Sequence, residues 1–506
     1  MTNTQPKGRA PRIAWVSVWT VVLLLACCLA EAQAPSCGAP PRAAPHRIKG
    51  GESFPPLPLP VTPLRRTERK RPPAPPILIG KLAHGKKMTG RREDGSSYEY
   101  LDWRSDPADA QSLLAFACPR LGIRYRHEVV NVGDFTWDPT RTPIVYLTGH
   151  ARFNAEEGLQ DKLRAYLQAG GTLIAEACCG SEAFATSVEA FIKDTYPSRR
   201  LAPLPPEHPL FSCFFDIDEV TYQEGAIVTK KDHPQILAVE LGCRAAILFS
   251  RIDLSCGWDG HIHDSGARYE PHDAMRIGTN MLCYTLSNQS LGRFLQYTKA
   301  YHETGSQTGT DKFLFGQLIH QGDWDPDPSA VSNLLKVVNE NTSINVKFTR
   351  RNVQASSPEL FDVPFLYMTG HYDFVFTETE VENLRRFLLG GGFLLADACC
   401  GRKAFDHAFR REIARVIPGR ELRPVEADDP LNSSLYRLEY VRYALREEVT
   451  PPPLLSITVD GYHVVVYSPV DLGNGWEGEE HPYVDGIVEE DSLKIGANAI
   501  MYALTH

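Results

Sequence analysis

Short, unbroken apolar runs alternate along the chain with stretches whose apolar residues recur every three or four positions. The pattern is clearest in the second half. There FLFGQLI, INVKFT, PFLYMT, FLLA and HVVVYSPV are expected as strands. Between them Val331, Leu334, Leu335 and Val338 mark a helix, with Asp327 expected as its N-cap and Pro328 in its first turn. Thr377 and Glu380 have the spacing of a capping box. They precede a helix that turns Val381, Leu384, Phe387 and Leu388 inward, and GGG at 390–392 ends it. AFDHAFRREIARVI and IGANAIMYAL are two further helices. Buried strands alternating with helices predict a mostly parallel sheet covered on both faces, an α/β fold.

The first half repeats this pattern because the chain is a duplication. DWRSDP at Asp102 recurs as DWDPDP at Asp323, YLTGH at Tyr146 as YMTGH at Tyr367, and ACCG at Ala177 as ACCG at Ala398, each at an offset of 221. DLSCGWDG at Asp253 recurs as DLGNGWEG at Asp471, and RIGTNMLCYTL at Arg276 as KIGANAIMYAL at Lys494, both at an offset of 218. Upstream, ILIGKLAH aligns with LFGQLIH at 236, so the first copy carries about 15 extra residues around MTGRREDGSSYEY. The expected domains are 76–288 and 311–506, joined by a polar linker at 289–310.

Ahead of the copies, residues 33–75 are Pro-rich with a basic run, RRTERKR, expected as a solvated tether. Residues 1–32 read as a signal peptide: Lys7, Arg9 and Arg12, an apolar stretch at 13–30, then Ala30-Glu31-Ala32. Leu24-Leu25-Ala26 before Cys27 offers a lipoprotein alternative, and an uncut membrane anchor is a third. All three export the remainder, so the periplasm or cell envelope is the expected location. Contact with the membrane is expected only through the leader or a lipid anchor. The net charge is −9, and removing the leader leaves 50 basic against 61 acidic residues. Nothing in that balance attracts nucleic acid. Ten of the twelve cysteines lie beyond the leader, too few for a disulfide scaffold in a chain of this size.

The recurrent polar residues follow strand ends. His84 and His320 follow the first strand of each copy, His150 and His371 the YLT/YMT strand, and Cys178-Cys179 and Cys399-Cys400 the strand after that. Asp102 and Asp323, with Trp103 and Trp324, lie in the loop before the first helix; His263 and His481 follow GWDG and GWEG. In an open parallel sheet, ligands bind beyond the carboxyl ends of the strands, so these residues are expected on one rim. Strand–Cys–x–Gly–helix is also the form of a nucleophile elbow, in which the helix N-terminus lowers a thiol pKa and supplies oxyanion donors. On that reading Cys178 and Cys399 are nucleophiles and His263 and His481 their bases. Glu176 and Asp397 fall two residues too early to be third members. The alternatives stay open: small buried cysteines that only pack, a vicinal disulfide, or two thiolates with His150 and His84 around a metal, for which adjacent cysteines are poorly spaced. No cofactor and no metal ligand is assigned. Trp258 and Trp476 read as loop anchors, and Asp106, like Asp327, as a helix cap.

GDWDPDP, PFLYMTGH, LRRFLLGGGFLLADACCG, DLGNGWEG and KIGANAIMYALT resemble the bacterial domain of unknown function 4159 family, across nearly all of the second copy and more loosely the first. The resemblance implies the class I glutamine amidotransferase-like superfamily, hence two tandem flavodoxin-like three-layer α/β/α sandwiches. Active members of that superfamily use a G-x-C-x-G elbow with a Cys-His-Glu triad, and here Glu176 and Asp397 replace the first Gly. The resulting expectation is an exported protein with two non-catalytic domains that bind a small ligand or an envelope protein. A cysteine-dependent amidase or peptidase is the first alternative, a metal-binding domain the second.

Overall fold

The computed structural model describes residues 74–506 except 86, 92–93, 225–227, 261–265, 295–311 and 479–480. Residues 1–32, expected as a signal peptide, nearly all of the Pro-rich segment, His263 and most of the linker between the copies lie outside the described residues.

Continuous apolar runs become central strands. In the first copy the main sheet holds β1 (Ile77–Leu82), β2 (Arg126–Val130), β3 (Ile144–Gly149), β4 (Thr172–Ala177), β5 (Ala202–Pro203), β6 (Ile236–Glu240) and β7 (Ala245–Ser250). In the second it holds β8 (Phe315–Ile319), β9 (Arg351–Gln354), β10 (Phe365–Gly370), β11 (Phe393–Ala398), β12 (Arg423–Pro424), β13 (Leu455–Val459) and β14 (Tyr462–Ser468). The strand order is β2-β1-β3-β4-β7-β6-β5 in one and β9-β8-β10-β11-β14-β13-β12 in the other, which is the same order twice. The first five strands of each order run parallel, the sixth is antiparallel to its neighbours on both sides, and the short seventh therefore points the same way as the first five.

Every residue of β3, β4, β7, β10 and β11 is buried, as a sheet covered on both faces requires. Strand alternation sends Ile144 and Tyr146 into one core and Val145 and Leu147 into the other. Helices Asp109–Leu121 and Pro271–Ser287 close the first core; Leu159–Gln168 and Glu182–Thr195 close the second. The second copy repeats the layering with Ala330–Asn341 and Glu489–Thr505 on one face and Glu378–Leu389 and Lys403–Val416 on the other. Truncating a core leucine such as Leu384 to alanine costs about 2–5 kcal/mol.

Three local expectations change. INVKFT forms only an isolated bridge at Val346, and the edge strand falls instead at Arg351–Gln354. An edge position lets the pairing slide, since only Val353 of that strand is buried. Asp106 and Asp327 cap no helix: the helices begin at Asp109 and Ala330, and neither has a side-chain cap. Part of the linker, Gln289–Phe294, is helical. The extra residues of the first copy form a separate hairpin, Lys87–Arg91 against Ser97–Leu101.

Candidate functional site

His84 and His320 are spent on structure. Each donates from Nε2 to the carbonyl of Thr148 or Thr369 at the end of the neighbouring strand, at 2.7 and 2.8 Å. His320 Nδ1 accepts from Gly322 N at 3.0 Å, so the ring must be neutral. Burial lowers both pKa values, that of His320 to about 4.

The glycine of each TGH has a packing reason. A Cβ on Gly149 would stand 2.6 Å from Asp102 Oδ2, and one on Gly370 2.4 Å from Gly322 O. In the first copy the Asp102 carboxylate accepts the backbone N–H groups of His150 and Ala151 at 3.1–3.2 Å. In the second, Gly322 O takes the equivalent N–H groups, and Asp323 turns its carboxylate to His371 Nδ1 at 2.8 Å. Arg199 of the first copy also bonds Asp323. Trp103 and Trp324 are half-buried, with the Arg350 guanidinium 5.7 Å from the Trp324 ring.

Both cysteine pairs sit on a tight turn where strand meets helix. The second cysteine takes the left-handed conformation, with φ of 54° at Cys179 and 53° at Cys400. For a residue with a Cβ this costs on the order of 1–2 kcal/mol. The surroundings hold it: Asp253 accepts Cys179 N and, at 2.8 Å, Cys256 N, while Asp471 accepts Cys400 N and, at 2.8 Å, Asn474 N. Glu176 and Asp397 hold the same loops from below, accepting Leu254 N at 3.1 Å and Leu472 N at 2.8 Å. That is why an acid stands where an elbow would have glycine.

This turn buries the first cysteine and leaves the second half-exposed. Cys178 and Cys399 are 0% exposed. Their thiols face Asp106 Oδ2 at 3.1 Å and Asp327 Oδ2 at 3.6 Å, the acids expected to cap helices. Hydrogen bonding to Cys179 and Cys256, with burial, raises the Cys178 pKa; burial and the Cys243 thiol raise that of Cys399. Cys179 is lowered by its thiol neighbours Cys178 and Cys256 and by His150, and Cys400 by Cys243, Cys399 and His371. His150 Nε2 lies 3.0 Å from Cys179 Sγ. Burial opposes its charge, but the Cys179 sulfur and Asp102 outweigh it and raise His150 to about 9.

His481 is not placed as a base for Cys399. Its Nε2 donates to Cys243 O at 2.6 Å and its Nδ1 accepts from Tyr483 N at 3.2 Å, so both ring nitrogens are engaged. The partner comes from the other copy: Cys243 lies in the turn between β6 and β7, and its sulfur is 3.3 Å from Cys399 Sγ. Beside it, Glu240 at the end of β6 pairs with Arg402. Trp258 and Trp476 are buried anchors whose Nε1 groups donate to Ala274 O and Ser492 O at 2.8 and 2.7 Å.

The rim therefore gathers His84, Asp102, His150, Cys178 and Cys179 in the first copy and His320, Asp323, His371, Cys399 and Cys400 in the second. Sequence reasoning missed Asp253, Cys256, Asp471 and Cys243. The two aspartates were visible in the repeated DL…GW blocks; Cys243 had no such signal.

Two seven-stranded α/β sheets of one strand order, each with a double-cysteine turn beyond its parallel strands, define a duplicated α/β protein. The profile of one family, described as Domain of unknown function (DUF4159), matches residues 96–286 and again 314–504, and the chain belongs to that family in two copies. No curated protein matches the chain.

Proposed function

We propose that the chain is an exported binding module of the cell envelope, built from two flavodoxin-like, amidotransferase-like sandwiches that do no thiol chemistry at their elbows. The export reading rests on the leader-like N-terminus, and the fold reading on the β2-β1-β3-β4 parallel order with its rim crevice. One observation carries the non-catalytic reading: each elbow cysteine, Cys178 and Cys399, is sealed at 0% exposure. A thiol with a raised pKa and no solvent path is a poor nucleophile. What the second rim offers instead is a cavity of about 290 Å³, lined by Arg442, Asn474, Gly475, His481, Val484 and Ile487. That volume is near the lower bound for small-ligand sites. The ligand class is a small organic molecule or a side chain from an envelope protein.

The test is native mass spectrometry of the full chain released gently from the envelope. An organic adduct is expected on the wild type and absent from Val484→Trp, which fills the cavity. A bare chain that hydrolyses amide or peptide substrates, and loses that activity on alkylation of Cys178 or Cys399, overturns the reading. A second reading, a thiol hydrolase, is favoured by the 3.0 Å approach of His150 to the half-exposed Cys179. It requires rapid iodoacetamide labelling near neutral pH that is lost, together with turnover, in Cys179→Ser.

A further inference from the structure

Six of the nine cysteines among the described residues gather at the two rims, and each rim receives three. In the second copy the sulfurs of Cys243, Cys399 and Cys400 and a ring nitrogen of His371 all lie within 4.8 Å of one another. Cys243 Sγ is 3.3 Å from Cys399 Sγ, which is 3.9 Å from Cys400 Sγ. A tetrahedral zinc ion with Zn–S bonds of about 2.3 Å needs sulfurs about 3.8 Å apart, so the thiols already stand near the required edges.

The imidazole is prepared in the way metal ligands are. Asp323 holds His371 Nδ1 at 2.8 Å, and Arg199 holds Asp323. This carboxylate–histidine pairing fixes the ring and raises the basicity of the other nitrogen. That nitrogen, His371 Nε2, is buried and has no hydrogen-bond partner. A buried orphan of this kind calls for an occupant. Cysteines that merely pack need neither a histidine nor a supporting carboxylate.

The first copy obeys the same count by another route. Cys178, Cys179 and Cys256 cluster within 4.8 Å, with Asp253 among them. Asp253 is committed to the backbone of Cys179 and Cys256, and His150, which stands outside that cluster, is the imidazole nearest to it among the described residues, with Nε2 3.0 Å from Cys179 Sγ. At the offset of 218 the counterpart of Cys256 is Asn474, and that of Cys243 is Gly461. The second copy thus lacks a third thiol of its own, and the turn of its neighbour supplies one.

We propose that each copy holds one soft divalent metal ion of the zinc type in a three-cysteine, one-histidine set. The ligands are Cys178, Cys179, Cys256 and His150 in the first copy, and Cys243, Cys399, Cys400 and His371 in the second. The second ion is a clasp between the copies. With no open position, both sites are structural rather than catalytic.

The experiment is metal analysis of the full chain, purified without an affinity tag under reducing conditions with zinc supplied. Two equivalents of zinc per chain are expected, one in Cys243→Ser and one in Cys256→Ser. The decisive variant combines Cys243→Ser with Asn474→Cys. Asn474 Nδ2 is 4.0 Å from Cys400 Sγ, so a thiol there stands in reach and restores the second equivalent. Cobalt substitution reports the same losses and the same rescue through thiolate-to-cobalt charge-transfer bands. The proposal is overturned by a chain without metal, by a metal content that Cys243→Ser leaves unchanged, or by recovery of a Cys243–Cys399 disulfide peptide from the native chain. If Cys243→Ser fails to fold, restoration of both folding and metal by Asn474→Cys still decides for the site, and failure of that restoration decides against it.

Discussion

Glu240 and Arg402 form an ion pair between the copies at a place where water cannot help. Their side chains are 3% and 12% exposed, and Arg402 Nε has no hydrogen-bond partner of its own. Glu240 Oε2 also lies 3.7 Å from His371 Nδ1. Replacing Glu240 by alanine strands a buried guanidinium, which costs about 3–5 kcal/mol. Replacing both partners by apolar residues of similar length, Glu240→Leu with Arg402→Met, removes the charge and the need for it together. The double variant is expected within about 1 kcal/mol of wild type. A double-mutant cycle built on Glu240→Leu, Arg402→Met and their combination should then show coupling of several kcal/mol. The exposed pair Lys87–Glu99, with side chains 72% and 67% exposed, is the control and should give less than about 1 kcal/mol. Urea unfolding followed by tryptophan fluorescence reads the difference. With a slope of about 3 kcal/mol per molar, the midpoint of Glu240→Ala falls by about 1 M or more. A cost below about 1 kcal/mol, or additive effects in the cycle, refutes the reasoning.

Three further outcomes follow from local geometry. Thr377→Ala breaks a complete capping box and should cost about 1 kcal/mol in urea unfolding. Gly475→Ala would set a Cβ 2.1 Å from Ser492 Oγ and 2.7 Å from Ile487 O, and should cost about 1–3 kcal/mol, whereas Gly486→Ala, at 3.3 Å from Asp471 O, should cost less by thermal denaturation. His320 is held neutral by burial with a pKa near 4, below the 6.5 of the unfolded chain, so its contribution is complete above pH 6.5 and is lost as pH falls toward 4. The loss amounts to about 3 kcal/mol, and His320→Gln should flatten the pH dependence of the unfolding midpoint over that window.

The strands and helices could be read from the sequence where burial dictates them. PFLYMT and FLLA are buried on both faces, and only an apolar run satisfies that. Thr377 and Glu380 announced their helix start because a capping box is local chemistry. INVKFT misled because an edge strand is buried on one face at most, so its pattern fixes neither its length nor its register. Asp106 and Asp327 stand where a helix cap belongs, and nothing local reveals that folding turns them toward the thiols of Cys178 and Cys399. Comparing the chain with itself found what recurs, and so found His150, His371 and the cysteine pairs. The same comparison passed over Cys243, which has glycine at its counterpart and acquires its neighbours only when the copies meet. Even the paired cysteines could not be assigned by residue type, since the left-handed turn at Cys179 and Cys400 decides which thiol is sealed and which is not.

The turn that carries Cys243 gives the duplication a direction. The leading half supplies the ligands of its own rim, whereas the trailing half has to borrow a thiol, Cys243, together with the charges of Arg199 and Glu240. Since the N-terminal half leaves the ribosome first, the lender is in place before the borrower is complete. A trailing half made alone, or a permuted chain in which it is synthesised first, has to wait with an unfinished edge, and its yield should depend on supplying the leading half in trans.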